Sequence, residues 1–358
     1  MQSLTVEGFR SIRGLEVRFG NVNLITGPNG CGKSNLFNAF RIVKAAVQGN
    51  LAGAVAEQGG MESLLWAGPR QKGPVRVKLG VVAEPFEYEI EFGLRPRSEF
   101  AVFPLDPQIK QETVKLAGRT MVDRRSNVAH IRGLDGPLEM RSDLVDSESI
   151  FAQIRGAQEY PYLYSLRDIV ERWTFYHEFR TDAESPLRRP TLGRYAPRLF
   201  ENGFNLAPQL FLIQRSGDFD ALEQVLKTAF PDAVLYQESS GNVQIRVDGI
   251  ERPMGASELS DGTLKFLCLA AACFPVRPAP LVAFNEPESS LSPAALLPLA
   301  DALAYASVNS QLWITSHSEA LTKALVDRLD CKPIRLSKVD GETVRDGRSL
   351  RHGYVPEE

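Results

Sequence analysis

The stretch from Asn21 to Asn35 restricts the fold of this chain more than any other. A short apolar run leads into the sequence Gly27-Pro28-Asn29-Gly30-Cys31-Gly32-Lys33-Ser34 and then into a segment with apolar residues at helical spacing. Glycines at these positions let backbone N–H groups turn inward around phosphate oxygens, while the lysine supplies a cation and the serine hydroxyl a ligand for Mg²⁺. The alternative is a glycine-rich turn that precedes a helix by chance. The stretch predicts a nucleotide site made by Asn29, Gly30, Cys31, Gly32, Lys33, Ser34 and Asn35.

Composition excludes several classes of protein. With 358 residues and 43% apolar content, the chain can bury a core large enough for two domains or for one domain with a long insertion. A net charge of −3 neither attracts nor repels nucleic acid as a whole. The four cysteines form no C-x-x-C pair and no zinc-ligand spacing, which indicates a reducing compartment, and we expect the cytoplasm. The longest apolar run, 266–274, is too short to span a bilayer, so we expect no membrane partner.

Pattern changes along the chain suggest three parts and an α/β fold. Residues 1–135 begin with a hairpin-like pair of strands, contain the glycine-rich loop, and continue as an antiparallel meander with period-two alternation. Residues 136–215 are mainly helical and include a segment rich in proline and arginine, 181–203. That segment is either a solvated loop or a contact for a polyanion. Residues 216–358 begin with a predicted helix, 221–230, and a hairpin, 233–247, and then alternate strand and helix, which predicts a parallel sheet.

Three further motifs lie in the last third of the chain. Leu259-Ser260-Asp261-Gly262-Thr263 opens a predicted helix that runs to Phe274. A buried strand, 280–284, ends at Asn285-Glu286, and a second buried strand, 311–315, ends at Ser316-His317. Ligands of parallel sheets bind at the carboxyl ends of the strands, so these residues are predicted to face the same ligand as the glycine-rich loop.

Taken in order, these motifs resemble those of the compact RecF-like and SMC-type ABC ATPase heads. The resemblance covers nearly the whole chain: Phe9-Arg10-Ser11, Walker A at 27–34, the signature at 259–263, Walker B at 281–286, the D-loop at 288–291 and the switch histidine at 317. It implies a P-loop ABC-type head with a mixed central sheet, an antiparallel meander, and a short helical lid in place of a coiled-coil arm. No sustained heptads occur between Walker A and the signature.

The resemblance also implies roles for individual residues. Lys33 and Ser34 would bind the β/γ-phosphates and Mg²⁺, Glu286 would activate or orient water, and His317 would contact the γ-phosphate. Glu286 has the alternative of a helix-capping acid, and His317 that of a core or capping histidine. The segment formed by Ser260, Asp261 and Gly262 would cover the γ-phosphate held by a second copy.

Two assignments stay open at the level of sequence. The glutamine that contacts nucleotide and Mg²⁺ in the family is assigned to Gln153, with Gln58 and Gln158 as alternatives. Arg10 resembles an arginine that touches nucleotide phosphates in relatives, although a surface ion pair is the competing interpretation.

Some residues depart from the family pattern. Asn285 replaces the aspartate that usually holds Mg²⁺-bound water, so we expect weaker Mg²⁺ binding and slow turnover. The signature reads Ser-Asp-Gly-Thr rather than Ser-Gly-Gly-Gln, and Ser292 stands where relatives often have histidine.

The expected function is an ATP-binding ATPase that forms a head-to-tail homodimer on ATP and acts in DNA repair, maintenance or defence. DNA and an effector protein are candidate partners, both by family analogy alone. The alternative is a nucleotide-gated binding module with little turnover. A nuclease of the overcoming-lysogenization-defect type is a third interpretation, and the short sequence after His317 argues against it.

Overall fold

The computed structural model describes residues 1–69, 75–95, 106–134, 137–237 and 241–345. The described residues cluster into two compact units. The first contains Met1–Gly20, Gly27–Trp173 and the described residues from Ile334 onward, and the second contains Asn21–Thr26 and Thr174–Pro333.

Strands form the large sheet of the first unit and the centre of the second. In chain order they are β1 (Ser3–Phe9), β2 (Ile12–Arg18), β3 (Val22–Thr26), β4 (Arg76–Ala83), β5 (Phe86–Gly93), β6 (Gln108–Leu116), β7 (Arg119–Arg125), β8 (Val128–Arg132), β9 (Leu138–Arg141), β10 (Thr174–Tyr176), β11 (Ala233–Leu235), β12 (Gln244–Val247), β13 (Met254–Gly255), β14 (Leu281–Asn285), β15 (Gln311–Ser316), β16 (Ile334–Val339) and β17 (Glu342–Arg345).

The helices are short to medium in length. In chain order they are α1 (Lys33–Val47), α2 (Leu51–Glu57), α3 (Met61–Leu64), α4 (Ile150–Gln153), α5 (Pro161–Glu171), α6 (Leu206–Ser216), α7 (Phe219–Ala229), α8 (Asp261–Cys273), α9 (Leu296–Ser307) and α10 (Glu319–Leu329). Single 3₁₀ turns lie at Pro186–Arg188, Ala256–Glu258 and Pro293–Ala295.

An antiparallel sheet in the order β2-β1-β4-β5-β6-β7-β8-β9 dominates the first unit. Its strands alternate as the sequence predicts, because one face packs on a core and the other faces water. On the wet face, cross-strand ion pairs join Arg76 to Glu91 and Lys115 to Glu87. Acidic residues of β5 thus pair with basic residues of the two neighbouring strands.

A fully buried ion pair lies in the core of the first unit. Arg124 Nη1 donates to Glu112 Oε2 over 3.1 Å, and both side chains are 0% exposed. Glu112 also accepts from the hydroxyl of Tyr88 and from the backbone N–H of Ile150. Burial raises the pKa of Glu112, although its bonds with Arg124, Ile150 and Tyr88 oppose the shift. The pair joins the sheet to the first residue of α4.

The second unit is built on parallel strands in the order β10-β14-β15-β3. Both central strands are buried on both faces, which is why their sequences are apolar runs without alternation. Helix α8 is buried along most of its length, from Leu264 and Phe266 to Cys273. Buried aliphatic residues of α6, α7, α9 and α10 complete this core.

The predicted α/β class, the opening hairpin, the meander and the parallel strands are confirmed. The sequence pattern did not indicate the edge strand β9 or the hairpin β16–β17, which are short and, in β9, exposed throughout. The compact units divide the chain at residues other than the predicted boundaries at 135 and 215, so the three-part domain division stays a prediction.

Candidate nucleotide site

The glycine-rich loop connects the end of β3 at Thr26 to the start of α1 at Lys33. Gly27, Gly30 and Gly32 all have positive φ angles, of 152°, 77° and 111°, which side-chain-bearing residues rarely adopt. A Cβ added to Gly30 would meet no atom within 4 Å, so the tip of the loop is open to a ligand. The loop therefore has the glycine-dependent backbone that the sequence predicts, and its binding of phosphate stays a prediction.

Lys33 lies inside the loop. Its ammonium donates to the carbonyl oxygens of Gly27 over 2.8 Å and of Pro28 over 3.2 Å, and the residue is 3% exposed. Ser34 and Asn29, by contrast, are exposed. The cation is thus held at the loop by backbone oxygens, and the serine hydroxyl is accessible to a metal ion.

The hairpin β16–β17 packs against the back of the loop. A Cβ on Gly27 would lie 2.2 Å from the carbonyl oxygen of Leu336, and a Cβ on Gly32 would lie 2.1 Å from the hydroxyl of Thr343. Both distances are far below van der Waals contact. Glycine is therefore required at these two positions by the hairpin as well as by the backbone angles.

Thr343 is the centre of a polar contact that the sequence did not indicate. Its hydroxyl donates to the carbonyl of Cys31 over 2.8 Å and lies 2.7 Å from the hydroxyl of Ser11. The amide of Asn35 donates to the same Ser11 hydroxyl over 2.8 Å, and the Thr343 N–H donates to the Ser11 carbonyl. Thr343 is fully buried. Residues from both ends of the chain thus fix the middle of the loop and the first turn of α1.

Arg10 has a positive φ of 50° and follows β1. Its Nε donates to the carbonyl of Ser63 over 3.3 Å, and its guanidinium lies 5.5 Å from the ring centroid of Phe9. Partial burial lowers the pKa of Arg10. These contacts orient the side chain, and its predicted contact with nucleotide phosphate stays a prediction.

Gln153 ends α4 and folds back on the segment before it. Its amide oxygen accepts from Val145 N, and its amide nitrogen donates to the carbonyls of Val145 and Glu148. The buried Arg124 donates to the same two carbonyls. The structure thus places Gln153 in a braced turn of the first unit, and its assignment as the nucleotide-contacting glutamine stays a prediction.

The other predicted residues lie in the second unit, at the carboxyl ends of its strands. The register pairs Asn285 at the end of β14 with Thr315, and Ser316 at the end of β15 with Thr26 at the end of β3. Glu286 and His317 follow these strand ends directly. The sheet therefore brings both residues to the edge from which the chain continues into the glycine-rich loop.

Glu286 and His317 are neighbours at this edge. The Nδ1 atom of His317 lies 3.7 Å from a carboxylate oxygen of Glu286, and the two side chains are 39% and 27% exposed. Glu286 has a φ of 47°, in the left-handed region that is strained for a residue with a side chain. Its N–H is held by Thr315, 3.1 Å from the threonine hydroxyl. The carboxylate is partly exposed and so within reach of water, and its role in activating water stays a prediction.

Glu288 anchors the histidine. One of its oxygens accepts from the hydroxyl of Ser316 and from the N–H groups of His317 and Ser318, over 2.7, 2.8 and 3.2 Å. The same oxygen lies 3.3 Å from His317 Nδ1, and the Glu288 side chain is 4% exposed. The sequence placed this residue in the D-loop without a specific role. Its position gives it one, because it fixes the backbone from which His317 projects.

The amide of Asn285 is held from both sides. Its oxygen accepts from the Thr315 hydroxyl over 2.9 Å, and its nitrogen lies 3.0 Å from Nδ1 of His177, which follows β10. Asn285 is 7% exposed. An aspartate here would place a negative charge beside the histidine ring nitrogen, whereas the asparagine makes a neutral contact. His177 was not indicated by any sequence motif.

The signature segment forms the start of α8. Ser260 caps the helix by accepting from Thr263 N over 3.1 Å, and both Ser260 and Asp261 are exposed. Lys265, one turn further, donates to the carbonyl of Ser289 in the D-loop. Burial lowers the pKa of Lys265, and the nearby carboxylates Glu288, Glu178 and Glu286 oppose that shift. The signature helix is therefore tied to the loop that carries Glu288.

The residues fit a magnesium ion that is held mainly by phosphate oxygens and water. Within the described ranges no group of three or more His, Cys, Asp or Glu side chains could bind a metal alone. Mg²⁺ in phosphate-transfer sites uses few protein ligands and keeps several waters, and the exposed hydroxyl of Ser34 is of the type it uses. The assignment of Ser34, Asn285 and Gln153 to a magnesium site stays a prediction.

Comparison with protein families decides the assignment. Residues 22–322, more than half of the chain, match a family model described as "AAA domain, putative AbiEii toxin, Type IV TA system". The chain belongs to this AAA family. A search of curated proteins found no match. Membership supports an ATP-binding ATPase and agrees with the predicted RecF-like and SMC-type resemblance.

Three SMC heads are among the solved structures similar to this AAA-family chain. An SMC head bound to the C-winged helix domain of ScpA is 16% identical, with a TM-score of 0.52 and coverage of 99% of both chains. An SMC head with an extended coiled coil, bound to the C-terminal domain of ScpA and derived from Pyrococcus furiosus, is 16% identical, with a TM-score of 0.51 and coverage of 98% of this chain and 96% of that one. An SMC head domain from Thermotoga maritima is 18% identical, with a TM-score of 0.47 and coverage of 96% and 97%.

The AAA-family chain therefore has the fold of an ABC-type ATPase head, as the sequence predicted. Among the residues that the structure describes, no helix is both long enough and apolar enough to cross a membrane.

Proposed function

We propose that this chain binds ATP, hydrolyses it slowly, and pairs head to tail with a second copy around two ATP molecules. One observation carries the proposal: the strand register of the second unit sets Glu286 and His317 beside the end of β3, from which the chain enters the phosphate-binding loop. Ligands of parallel sheets bind at such an edge.

The chemistry needs positioning more than covalent steps. In phosphoryl transfer, cations hold the phosphate charge while one carboxylate orients the attacking water and accepts its proton. Lys33 is the cation at the loop, and Glu286 is the carboxylate proposed for the water. His317, tied through Glu288 to the D-loop, is proposed to contact the γ-phosphate and to relay its loss to that loop.

Magnesium would be held by Ser34 and, through water, by Asn285, and when bound it neutralises charge on the phosphates. A neutral amide in place of the usual carboxylate supports weaker Mg²⁺ binding and therefore slow turnover. Asn285 is fixed by Thr315 and lies beside His177, so its oxygen has a defined direction.

Pairing of two copies is supported by the signature segment. Ser260 lies exposed at the N-terminus of α8, where backbone N–H groups and the helix dipole favour an anion. Its connection to the D-loop through Lys265 offers a route by which a neighbour's phosphate would affect Glu288 and His317.

Phosphate release is the direct test of the enzyme. Glu286→Gln should abolish ATP turnover but keep ATP binding, whereas Lys33→Ala should abolish both. Glu178→Gln is the matched control, because Glu178 is an exposed carboxylate that also lies near Lys265. Equal turnover by wild type and Glu286→Gln would favour the alternative, a nucleotide-gated module with little hydrolysis, which Asn285 supports.

A role in defence is favoured among repair, maintenance and defence, because the family description names a toxin of a toxin–antitoxin system.

An effector protein is a proposed partner, since the similar SMC heads are bound to ScpA. DNA is a further proposed partner. The proposed location of the protein is the cytoplasm. Mobility-shift assays across salt concentrations, with and without ATP, test DNA binding. A DNA affinity that does not change with salt concentration would contradict contacts with the DNA phosphates.

A further inference from the structure

Arg188 lies in the segment rich in proline and arginine, at the end of the 3₁₀ turn Pro186–Arg188. The turn is fixed at its base, because Ser185 accepts from Leu187 N over 3.2 Å and Leu187 is buried in the core of the second unit. The Nε atom of Arg188 donates to the carbonyl of Thr181 over 2.9 Å. The side chain therefore leaves a rigid turn rather than a solvated loop.

The guanidinium reaches the backbone just before the signature. Nη1 donates to the carbonyl of Leu259 over 2.7 Å and lies within 3.3 Å of those of Ala256 and Ser257. Nη2 forms an ion pair with Asp261 over 2.5 Å. The Arg188 side chain is 12% exposed, although its partner Asp261 is 62% exposed. One side chain thus holds both sides of Ser260.

The negative charge of Asp261 is the second feature of this contact. A carboxylate in the first turn of α8 would repel an approaching phosphate, and the uncharged Ser-Gly-Gly-Gln pattern of the resembled family avoids that repulsion. Here Arg188 neutralises the carboxylate. A planar guanidinium suits both tasks, because it binds several oxygens at fixed angles and stays charged.

We propose that Arg188 is a positioning residue for the signature segment: it holds Ser260 in place and cancels the charge of Asp261, so that a second copy's ATP can dock on α8. The inference rests on the proposed ATP-dependent pairing. Arg188, one of the arginines in this segment, therefore binds the chain's own signature rather than an external polyanion.

The test uses the Glu286→Gln protein as parent and measures dimer formation against ATP concentration in the presence of Mg²⁺. Adding Arg188→Ala should raise the ATP concentration needed for pairing by about tenfold or more, because several charge-assisted hydrogen bonds are lost. ATP affinity of the monomer should stay close to the parent, whereas thermal stability should fall, because backbone carbonyls before the signature lose their donor. Adding Arg189→Ala is the matched control: Arg189 is the next residue, is exposed, and pairs with Glu184. It should leave pairing unchanged.

A second variant separates the positioning of Ser260 from the neutralisation of Asp261. Arg188→Lys keeps a charge beside Asp261 but has only one nitrogen, so it should restore part of the pairing lost in Arg188→Ala and only part. If the Arg188→Ala protein does not fold, the Arg188→Lys protein alone tests the positioning role. Pairing equal to the parent in the lysine variant would overturn the positioning role.

Hydrogen exchange distinguishes failure of this inference from failure of the proposed pairing. In the nucleotide-free protein, amides of residues 259–264 should exchange faster in Arg188→Ala than in wild type or Arg189→Ala. Unchanged exchange would overturn the inference whether or not dimers form. If exchange is faster in Arg188→Ala but the Glu286→Gln parent stays monomeric in ATP, the proposed pairing is wrong. Arg188 would then hold the signature segment locally and would have no role in pairing.

Discussion

Replacing Thr343 with valine tests whether the hairpin β16–β17 supports the phosphate-binding loop. Valine has nearly the shape of threonine, so the fully buried site stays filled. The change removes the donor to the Cys31 carbonyl and the contact with the Ser11 hydroxyl. A hydrogen bond contributes about 0.5–1.5 kcal/mol net, and a buried acceptor left without its donor costs about 1–3 kcal/mol.

The expected effect follows from these values. If the loop must hold its ordered form to bind phosphate, about 1–2 kcal/mol of the loss is expressed in binding, which is a factor of roughly 5–30 in affinity. We therefore expect ATP to bind Thr343→Val about tenfold more weakly than wild type. Thr343→Ser keeps the hydroxyl and loses only a methyl group, so it should bind ATP nearly as wild type does.

Fluorescent-nucleotide titration of the monomer measures this difference, and a thermal unfolding scan without nucleotide accompanies it. A Thr343→Val protein with wild-type ATP affinity and a lower melting temperature would refute the reasoning. In that case the hairpin would support the fold, but it would not order the loop for its ligand.

Three further predictions concern other parts of the chain. Glu112→Ala leaves the buried Arg124 without its carboxylate partner and should lower the free energy of unfolding by about 3–5 kcal/mol in urea titrations, more than Glu112→Gln does; a loss below about 1 kcal/mol would contradict the buried pair. Asn285→Asp introduces a negative charge at the proposed Mg²⁺ site and should lower the Mg²⁺ concentration for half-maximal turnover; an unchanged Mg²⁺ dependence would contradict the proposed role of Asn285 in slow turnover. Arg252 lowers the pKa of Glu258 from its ordinary 4.5 to about 2, so this pair stabilises the folded state above pH 4.5 and that contribution is lost as pH falls towards 2. Stability of Arg252→Gln should therefore depend less on pH in that window, and an identical pH profile would contradict the ion pair.

Local patterns predicted much of the fold because their physical causes are local. The loop 27–34 and helix α1 depend on glycines and apolar spacing within a few residues. The strands that end at Asn285 and Ser316 were recognised as buried apolar runs, and the rule that ligands bind at the carboxyl ends of parallel strands placed Glu286 and His317 at one edge.

Contacts between distant segments could not be predicted from such patterns. Thr343 and Ser11 are 332 positions apart, and both are ordinary polar residues with no motif around them. Arg188 was noticed as one of several arginines, but its partners in the signature segment are backbone carbonyls that no sequence pattern identifies. His177 likewise lies beside Asn285 only because β10 pairs with β14.

The mass of the Glu286→Gln protein in solution, measured with and without ATP and Mg²⁺, shows whether two copies pair over the nucleotide. We expect a single chain of 39.6 kDa without nucleotide and a doubling of that mass with ATP and Mg²⁺. A Ser260→Arg addition should keep ATP binding and abolish the doubling, because the signature would then be blocked. A monomer under all conditions, in a protein that binds ATP, would contradict the claim that two copies close over the nucleotide.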